Sequence, residues 1–281
     1  MEIKAYAKLN LWLDVLEHRP DGYHNLRSVF QFVSLHDVVT LNKAEQNSFW
    51  CSREDLNNDN NLAVKARDRL ALEYSFDPVE IRVEKHIPAM AGMGGGSADC
   101  AAVLAGLNKL FTLNIPREKL LAIGAELGAD VPACLVGGLL QADGIGEKIT
   151  PLTAGDTFWF NVIKPDVAFS TGDMYRRLGR GSTPQLPRDL TPLLQALECG
   201  EEIGVGSNLF NSFEEVAQPK EPILQARVAL LQTGALGVRM TGSGSAVFGI
   251  YGDEQTARLA FQTLQEQGNE VWCCHSVSSE E

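Results

Sequence analysis

Residues 88–103, PAMAGMGGGSADCAAV, hold four glycines in the five positions from Gly92 to Gly96. A glycine inside a helix or strand costs about 0.5–1 kcal/mol relative to alanine, so this density indicates a turn, a bulge or a closely held ligand. Apolar residues at helical spacing follow, and they predict a helix that begins within or just after Ser97–Asp99. A glycine loop that leads into a helix presents unpaired N–H groups and the positive end of the helix dipole. We therefore expect an anion to bind here; the alternative is a tight strand-to-helix turn without a ligand.

Two common phosphate-binding motifs do not fit this segment. A dinucleotide fingerprint G-x-G-x-x-G that starts at Gly92 needs glycine at position 97, which is Ser97; one that starts at Gly94 needs glycine at position 99, which is Asp99. The Gly-Lys-Ser/Thr tripeptide that ends a P-loop occurs nowhere in the chain. An anion bound here would need a glycine loop of another kind.

Other polar residues could also do chemistry. Lys8 and Asn10 share one face of a strand predicted over IKAYAKLNLWLDVL, residues 3–16, where apolar and polar residues alternate. Asp130 stands two residues before Pro132, and taken alone it is typical of a helix N-cap. Tyr23 and His24 follow a Pro-Asp-Gly turn, where an ordinary post-turn pair is equally expected.

The elements that would position these residues follow an α/β (α+β) pattern. In the first half a strand over VEIRVEKHIP runs into the glycine loop, and the helix after it is followed by a second helix over PREKLLAIGAEL that ends at Gly128. The pattern resets around residues 150–156, so we expect two domains, residues 1–152 and 153–281. The second half gives the order strand, helices, strand, strand, helix, strand, which is typical of a ferredoxin-like sheet.

Composition and charge exclude several classes of protein. The formal net charge is −12, and no basic stripe interrupts the acidic residues, so nucleic acid is not expected as a partner. No apolar stretch approaches the roughly 20 residues of a membrane span, and the first residues lack the apolar region of a signal peptide. The six cysteines have no zinc-site spacing. We expect a cytoplasmic protein with no membrane partner.

Taken together, the motifs resemble a known family. PAMAGMGGGSADCAAVL resembles the phosphate loop of the GHMP kinases (galacto-, homoserine, mevalonate and phosphomevalonate kinases), whose ATP-binding fold differs from that of the P-loop enzymes. AKLNLWLDV, RPDGYHNLRSVFQ, NNLAVKA, LGADVP and MTGSGSAVF are similar, in order, to the branch that phosphorylates 4-diphosphocytidyl-2-C-methyl-D-erythritol. Met93 replaces the usual leucine, and Ala98 replaces a second serine, so one hydroxyl that could contact a phosphate is absent.

The resemblance implies an N-terminal ATP-binding domain, a C-terminal ferredoxin-like domain and an active site between them. It implies that Asp130 is the base toward the substrate hydroxyl and that Lys8 is its electrostatic partner. A carboxylate beside the attacking hydroxyl can orient it and accept its proton, and a lysine beside that carboxylate keeps it ionised. ATP and Mg²⁺ are the implied cofactors, and no residue is assigned to the metal. The residues implied to hold ATP are Asn61, Leu62, Pro88, Gly92, Met93, Gly94, Gly95, Gly96, Ser97 and Ala98.

The resemblance also implies which residues bind the substrate. Tyr23 and Tyr175 would stack on the cytosine ring, and His24 would hydrogen-bond its edge. Asn10 would contact the methylerythritol near the reacting hydroxyl, and Thr171 would assist. TGSGSA, residues 241–246, is expected either to close over the phosphates or to be a hairpin turn.

Two alternative functions remain open at this point. One is a GHMP kinase for another small alcohol, such as mevalonate or homoserine, against which the DGYH segment argues. The other is an ATP-binding protein without catalysis, against which intact Lys8 and Asp130 argue. We expect a monomer or a weak homodimer.

Overall fold

A computed structural model describes residues 1–279 of the 281-residue chain. Its strands are β1 (Glu2–His18), β2 (His24–Lys43), β3 (Ser48–Cys51), β4 (Val79–Glu84), β5 (Leu139–Gly144), β6 (Lys148–Pro151), β7 (Trp159–Ile163), β8 (Phe210–Asn211), β9 (Gly237–Met240), β10 (Val247–Tyr251) and β11 (Val271–His275). Its helices are α1 (Leu62–Ala71), α2 (Gly95–Leu110), α3 (Arg117–Leu127), α4 (Val131–Val136), α5 (Thr171–Leu178), α6 (Thr191–Cys199), α7 (Glu202–Ser207), α8 (Glu221–Gln232) and α9 (Glu254–Glu266). The mixed helix and strand content agrees with the predicted class.

The chain divides into two compact units. Unit 1 comprises residues 1–7, 36–88 and 94–137, and unit 2 comprises residues 8–35, 89–93 and the described residues from 138 onward. The units interleave along the chain because β1 and β2 are long enough to contribute residues to both. The domain boundary after residue 152 stays a prediction.

Unit 1 contains part of a seven-stranded sheet and the helices that cover it. β3 runs parallel to β4, and β4 runs antiparallel to the last residues of β2, with Val39 opposite Val83 and Leu41 opposite Ile81. These four side chains are fully buried, and they form one core with α1 and α2. Burying apolar area releases roughly 25 cal/mol per Å², so this core fixes α2, and with it the start of that helix, against the sheet.

Unit 2 contains the predicted ferredoxin-like sheet. Its four antiparallel strands lie in the order β11-β7-β10-β9. The first of these four strands along the chain, β7, therefore lies between the last, β11, and the third, β10. The strand predicted over TFWFNVI is β7, and those over ALGVRM, AVFGIY and EVWCCHSV are β9, β10 and β11. In the same unit β5 pairs with residues 26–31 of β2, and β8 pairs in parallel with Trp12 and Leu13 of β1.

The helix after the glycine loop begins earlier than the sequence indicates. α2 starts at Gly95, two residues before Ser97, with Gly94 in the left-handed region at φ 73° as its N-cap. Two glycines in the first turn are poor helix formers, and for this reason helical periodicity does not reveal them. Among residues 1–279, no helix combines the length and apolar character that crossing a bilayer requires.

Candidate active site

In unit 1, the start of α2 and its N-cap carry half of the residues implied to hold ATP, Gly94 to Ala98. The first hydrogen bond of the helix runs from the N–H of Ala98 to the carbonyl oxygen of Gly94, 2.9 Å away. The N–H groups that precede it, from Gly95 to Ser97, have no acceptor one helical turn back. These N–H groups lie at the N-terminus of a 16-residue helix, the positive end of the helix dipole, where a bound anion is stabilised. Ala98 is buried and its N–H bonds within the helix. Because alanine has no hydroxyl, Ser97 supplies the hydroxyl of this turn.

The carboxylate implied as base lies close to this turn within the same unit. A Cβ built on Gly128 would lie 3.9 Å from Ser97 Oγ, and Gly128 is two residues before Asp130. Asp130 occupies the N-cap position of α4, which packs against α2, and Pro132 stands in its first turn. The Asp130 side chain makes no capping hydrogen bond, however. The N-cap interpretation therefore describes its place in the backbone but not the use of its carboxylate.

Two weaker candidates also lie in unit 1. Asn61 is the N-cap of α1, and its side chain accepts a hydrogen bond of 2.9 Å from the N–H of Ala63. Leu62 lies beside the glycine-rich turn, since a Cβ built on Gly96 would be 3.7 Å from Leu62 Cδ1. Asn61 thus has a structural role as a cap, and Leu62 covers the side of the turn.

In unit 2, Lys8 is held beside the glycine segment. Its N–H donates to the carbonyl oxygen of Met93, 3.0 Å away, and Met93 is directly followed by Gly94. The Lys8 side chain is 4 % exposed. Its Nζ donates to Asn10 Oδ1 at 2.6 Å and lies 4.9 Å from the centre of the Phe30 ring. Burying an ammonium group is costly unless it is compensated, and these are two of its compensating contacts.

Asn10 is fixed by a polar network that sequence reasoning missed. Its N–H donates to Thr241 Oγ1 at 3.0 Å, and its side-chain amide donates to Ser28 Oγ at 2.9 Å. Ser28 Oγ donates in turn to the carbonyl oxygen of Trp12 at 2.6 Å. Asn10 Oδ1 accepts from both Lys8 and Thr241, while Nδ2 donates one of its two N–H groups to Ser28, so the second N–H has no acceptor in this network. The network fixes Asn10, which in turn orients the Lys8 ammonium.

The second glycine-rich stretch is the hairpin turn between β9 and β10, one of its two predicted forms. It lies against the approach to the glycine segment: the N–H groups of Ser245 and Ala246 donate to the carbonyl oxygens of Met90 and Ala91 at 3.3 and 3.2 Å. Within unit 2 it therefore holds residues 89–93 in place. Its closing over phosphates stays a prediction.

Gly92 is the point where these two segments come closest. Its φ is +76°, and a Cβ there would lie 2.2 Å from the carbonyl oxygen of Thr241. Gly268 also has a positive φ, +82°, but a Cβ there meets nothing within 4 Å. The strained φ costs an alanine about 1–2 kcal/mol at either position. At Gly92 the clash adds about 1–3 kcal/mol of overpacking.

We therefore expect Gly92→Ala to lose more stability than Gly268→Ala, and to lower kcat because Thr241 holds Asn10. Urea unfolding and kcat measured on both variants check this. Equal losses of stability in the two variants would show that the close approach at Gly92 is unimportant.

The residues implied to bind cytosine lie in unit 2 in two groups. The His24 and Tyr175 rings are stacked, with centroids 4.9 Å apart and planes at 22°, and Tyr175 meets Phe213 edge-on. Burial and the nearby His18 lower the pKa of His24 below its usual value, which favours the neutral imidazole. Tyr23 lies outside this stack, 57 % exposed, and its N–H donates to Asp21 Oδ1 at 3.2 Å. Thr171, which is implied to assist at the methylerythritol, is the first residue of α5, and its Oγ1 lies 2.8 Å from Ser243 Oγ.

Comparison with known proteins shows the family to which the chain belongs. The family described as GHMP kinases N terminal domain matches residues 61–138, and GHMP kinases C terminal matches residues 191–270. A 4-diphosphocytidyl-2-C-methyl-D-erythritol kinase of Caldicellulosiruptor bescii is 40% identical over 270 residues, 94% of each chain. The chain belongs to the 4-diphosphocytidyl-2-C-methyl-D-erythritol kinase family of GHMP kinases. It is therefore an ATP-dependent phosphotransferase.

Solved structures agree with this assignment. A crystal structure of 4-(cytidine 5'-diphospho)-2C-methyl-D-erythritol kinase is 33% identical with a TM-score of 0.84, over 99% of this chain and 100% of that one. A homoserine kinase from Cytophaga hutchinsonii shares the fold at 18% identity, with a TM-score of 0.72 over 99% and 95% of the two chains. The predicted two-part GHMP kinase fold is confirmed.

Proposed function

We propose that this kinase transfers the γ-phosphoryl group of ATP to the 2-hydroxyl of 4-diphosphocytidyl-2-C-methyl-D-erythritol. A bond forms between the substrate oxygen and Pγ, the bond from Pγ to the β,γ-bridging oxygen breaks, and ADP leaves. The hydroxyl proton passes to a base. The transformation is a step of non-mevalonate isoprenoid precursor synthesis.

One observation carries the assignment of roles: the N-terminal turn of α2 and the segment that carries Asp130 lie side by side in unit 1, with Ser97 Oγ close to Gly128. A phosphate on the unpaired N–H groups would thus lie near a carboxylate. Asp130 orients the hydroxyl and takes its proton. We assign to Lys8, which Asn10 holds in one orientation, the role of offsetting the charge of the transferring phosphoryl group.

Mg²⁺ fits this site as a companion of ATP. Within residues 1–279, no three His, Cys, Asp or Glu side chains are grouped as a metal site. Mg²⁺ commonly keeps several waters and binds through one or two carboxylates and substrate phosphates, so it does not need an all-protein cage. When bound, it neutralises phosphate charge. No residue of this chain is assigned to it.

The cytidine end of the substrate is assigned to the aromatic residues of unit 2. The stacked pair of His24 and Tyr175 provides a platform for the ring, and Tyr23 supplies a second, exposed ring. Thr171 and the remaining N–H of Asn10 serve the methylerythritol. We also expect a monomer or weak homodimer in the cytoplasm, with no nucleic-acid partner.

Tyr175→Ala is expected to raise KM for the cytidyl substrate by roughly 5- to 150-fold, because base stacking contributes about 1–3 kcal/mol. KM for ATP should stay unchanged. Tyr175→Phe is the matched control, since it keeps the ring and removes only the hydroxyl. Steady-state kinetics with each substrate varied in turn checks this, and a rise in KM for ATP instead would place Tyr175 at the nucleotide.

Coupled ADP release tests the function itself. The protein with Mg²⁺ and ATP should release ADP only when the cytidyl substrate is present, and mevalonate or homoserine should not replace it. Turnover on one of those alcohols would assign the chain to another GHMP activity. Tight ATP binding without turnover on any alcohol would make it an inactive ATP-binding protein.

A further inference from the structure

A buried charged cluster in unit 1 has no part in the proposed chemistry. Lys85 Nζ donates to Asp99 Oδ2 at 2.6 Å and also to Asp37 Oδ2. The side chains of Lys85, Asp37 and Asp99 are 4 %, 0 % and 2 % exposed. Ion pairs buried this deeply are often no more stable than apolar residues of similar size, so stability alone explains the cluster poorly.

The cluster connects the residues that precede the glycine segment with the helix that follows it. Asp37 Oδ1 accepts hydrogen bonds from the N–H groups of His86 and Ile87, at 2.6 and 2.8 Å, in the stretch that leads to Pro88. Asp99 lies on the other side, in the second turn of α2. Lys85 bridges the two carboxylates, and its Nζ lies 3.4 Å from the position of a Cβ on Gly95. The ammonium group of Lys85 is thus next to Gly95, the first residue of α2.

The charge of this cluster depends on Asp99. The cluster holds one ammonium group and two carboxyl groups, so its net charge falls by one when Asp99 loses its proton. Asp99 Oδ1 is buried without a hydrogen-bond partner, so its charge is poorly solvated. Burial accordingly raises the pKa of Asp99 to about 7, against the opposing effect of Lys85.

Other titratable groups lie around Asp99. His36 and His86 flank Asp37 and Lys85 in the chain, with His86 Nδ1 3.1 Å from the carbonyl oxygen of His36, and the comparison with Asp99→Asn, which keeps both histidines, separates their contribution from that of Asp99. Cys51 of β3 and Cys100 of α2 are thiols whose pKa burial raises, to about 12 for Cys100. Several charged residues in or next to α1 and α3, elements that pack on α2, form surface ion pairs. These pairs are Arg67–Asp68, Arg69–Glu73, Arg69–Glu126 and Lys119–Glu73. From α4, Asp130 is the acidic group at the N-terminus.

We propose that the charge of Asp99 controls nucleotide affinity: a negative charge close to the start of α2 opposes phosphate binding, and MgATP or MgADP binds best when Asp99 carries a proton. The inference rests on the proposed function, which places the phosphates at this helix start. Nucleotide binding then takes up a proton at Asp99. Below pH 7 the proton is already present and affinity is highest, whereas above pH 7 it must be acquired and affinity falls.

Calorimetric titration of the full chain with MgADP tests this without the acceptor substrate. Between pH 6 and 8.5 the affinity of the parent for MgADP should fall about tenfold relative to that of Asp99→Asn. The repulsion between the Asp99 carboxylate and the phosphates is stronger inside the protein than in water, and a rise of one unit in the pKa of Asp99 on binding corresponds to a factor of ten in affinity. The amide oxygen introduced by Asp99→Asn can still accept from Lys85, so this variant should bind at pH 8.5 nearly as tightly as at pH 6. Asp68→Asn, which removes a surface carboxylate of α1, is the matched control and should follow the parent.

A second measurement does not depend on the variants. Titrations of the parent at pH 7.5 in two buffers with different ionisation enthalpies should show proton uptake on MgADP binding, at a pH where MgADP itself is fully ionised. Parallel pH profiles of parent and Asp99→Asn, or no proton uptake in the parent, would overturn the inference while leaving turnover intact. A chain that takes up the proton but phosphorylates no cytidyl alcohol would instead overturn the proposed function alone.

Discussion

Asp130→Asn is expected to lower kcat with the cytidyl substrate by about 10²-fold or more, the usual size of a general-base contribution. Asparagine keeps the shape of the side chain but does not accept the hydroxyl proton. The Asp130 side chain does not cap α4, so the change removes no capping hydrogen bond and the fold should survive. Affinity for MgADP should stay close to that of the parent, because the N–H groups of α2 are unchanged. Coupled ADP release and calorimetric titration measure the two quantities.

The matched control is Asp77→Asn, an exposed carboxylate in the same unit, which should leave kcat unchanged. If Asp130→Asn keeps activity within about threefold of the parent, a loss far below the general-base range, Asp130 is not the base. Positioning and Lys8 would then have to account for the rate.

Lys8→Met is expected to lower kcat by about 10²–10³-fold, the cost of removing one preorganised donor to a developing charge. Methionine has nearly the length of lysine, and it can occupy the space beside Phe30 without the ammonium group. KM for ATP should change much less than kcat, because the charge that Lys8 stabilises grows in the transition state. Steady-state kinetics with ATP and the cytidyl substrate separates the two effects.

Lys4→Met is the matched control, since Lys4 precedes Lys8 on the same face of β1 but is exposed. It should behave as the parent does. A Lys8→Met enzyme that loses affinity for ATP but keeps its kcat would make Lys8 a nucleotide ligand and not a partner of the reacting phosphoryl group.

Much of the fold could be predicted because its signals are local. Strict alternation over residues 3–16 gave β1, which runs from Glu2 to His18. The order of short strands and helices after residue 157 matched the four-stranded sheet of unit 2. The error at the start of α2 is also local: Gly95 and Gly96 carry no apolar side chain, so periodicity begins only after them.

The polar contacts that support the candidate site could not be predicted in the same way. Asn10 meets Thr241 across 231 positions of the chain, and Lys85 meets Asp37 across 48. A buried serine such as Ser28 has no distinguishing sequence pattern. The TGSGSA segment was visible as a turn, but its contact with residues 90 and 91 depends on the tertiary fold. The stack of His24 on Tyr175 is likewise a tertiary contact, and the expected roles of Tyr23, His24 and Tyr175 toward cytosine stay predictions.

The position of the transferred phosphate tests the central claim most directly. The product of the reaction with ATP and 4-diphosphocytidyl-2-C-methyl-D-erythritol can be examined by ³¹P NMR. Carbon 2 carries a methyl group and no hydrogen, so a phosphate on its oxygen should give a new phosphomonoester signal without splitting by a carbinol proton, together with one ADP per product. A phosphomonoester signal split by carbinol protons would place the phosphate on another hydroxyl, and ADP formed without a new phosphomonoester would show hydrolysis of ATP; either would contradict the account.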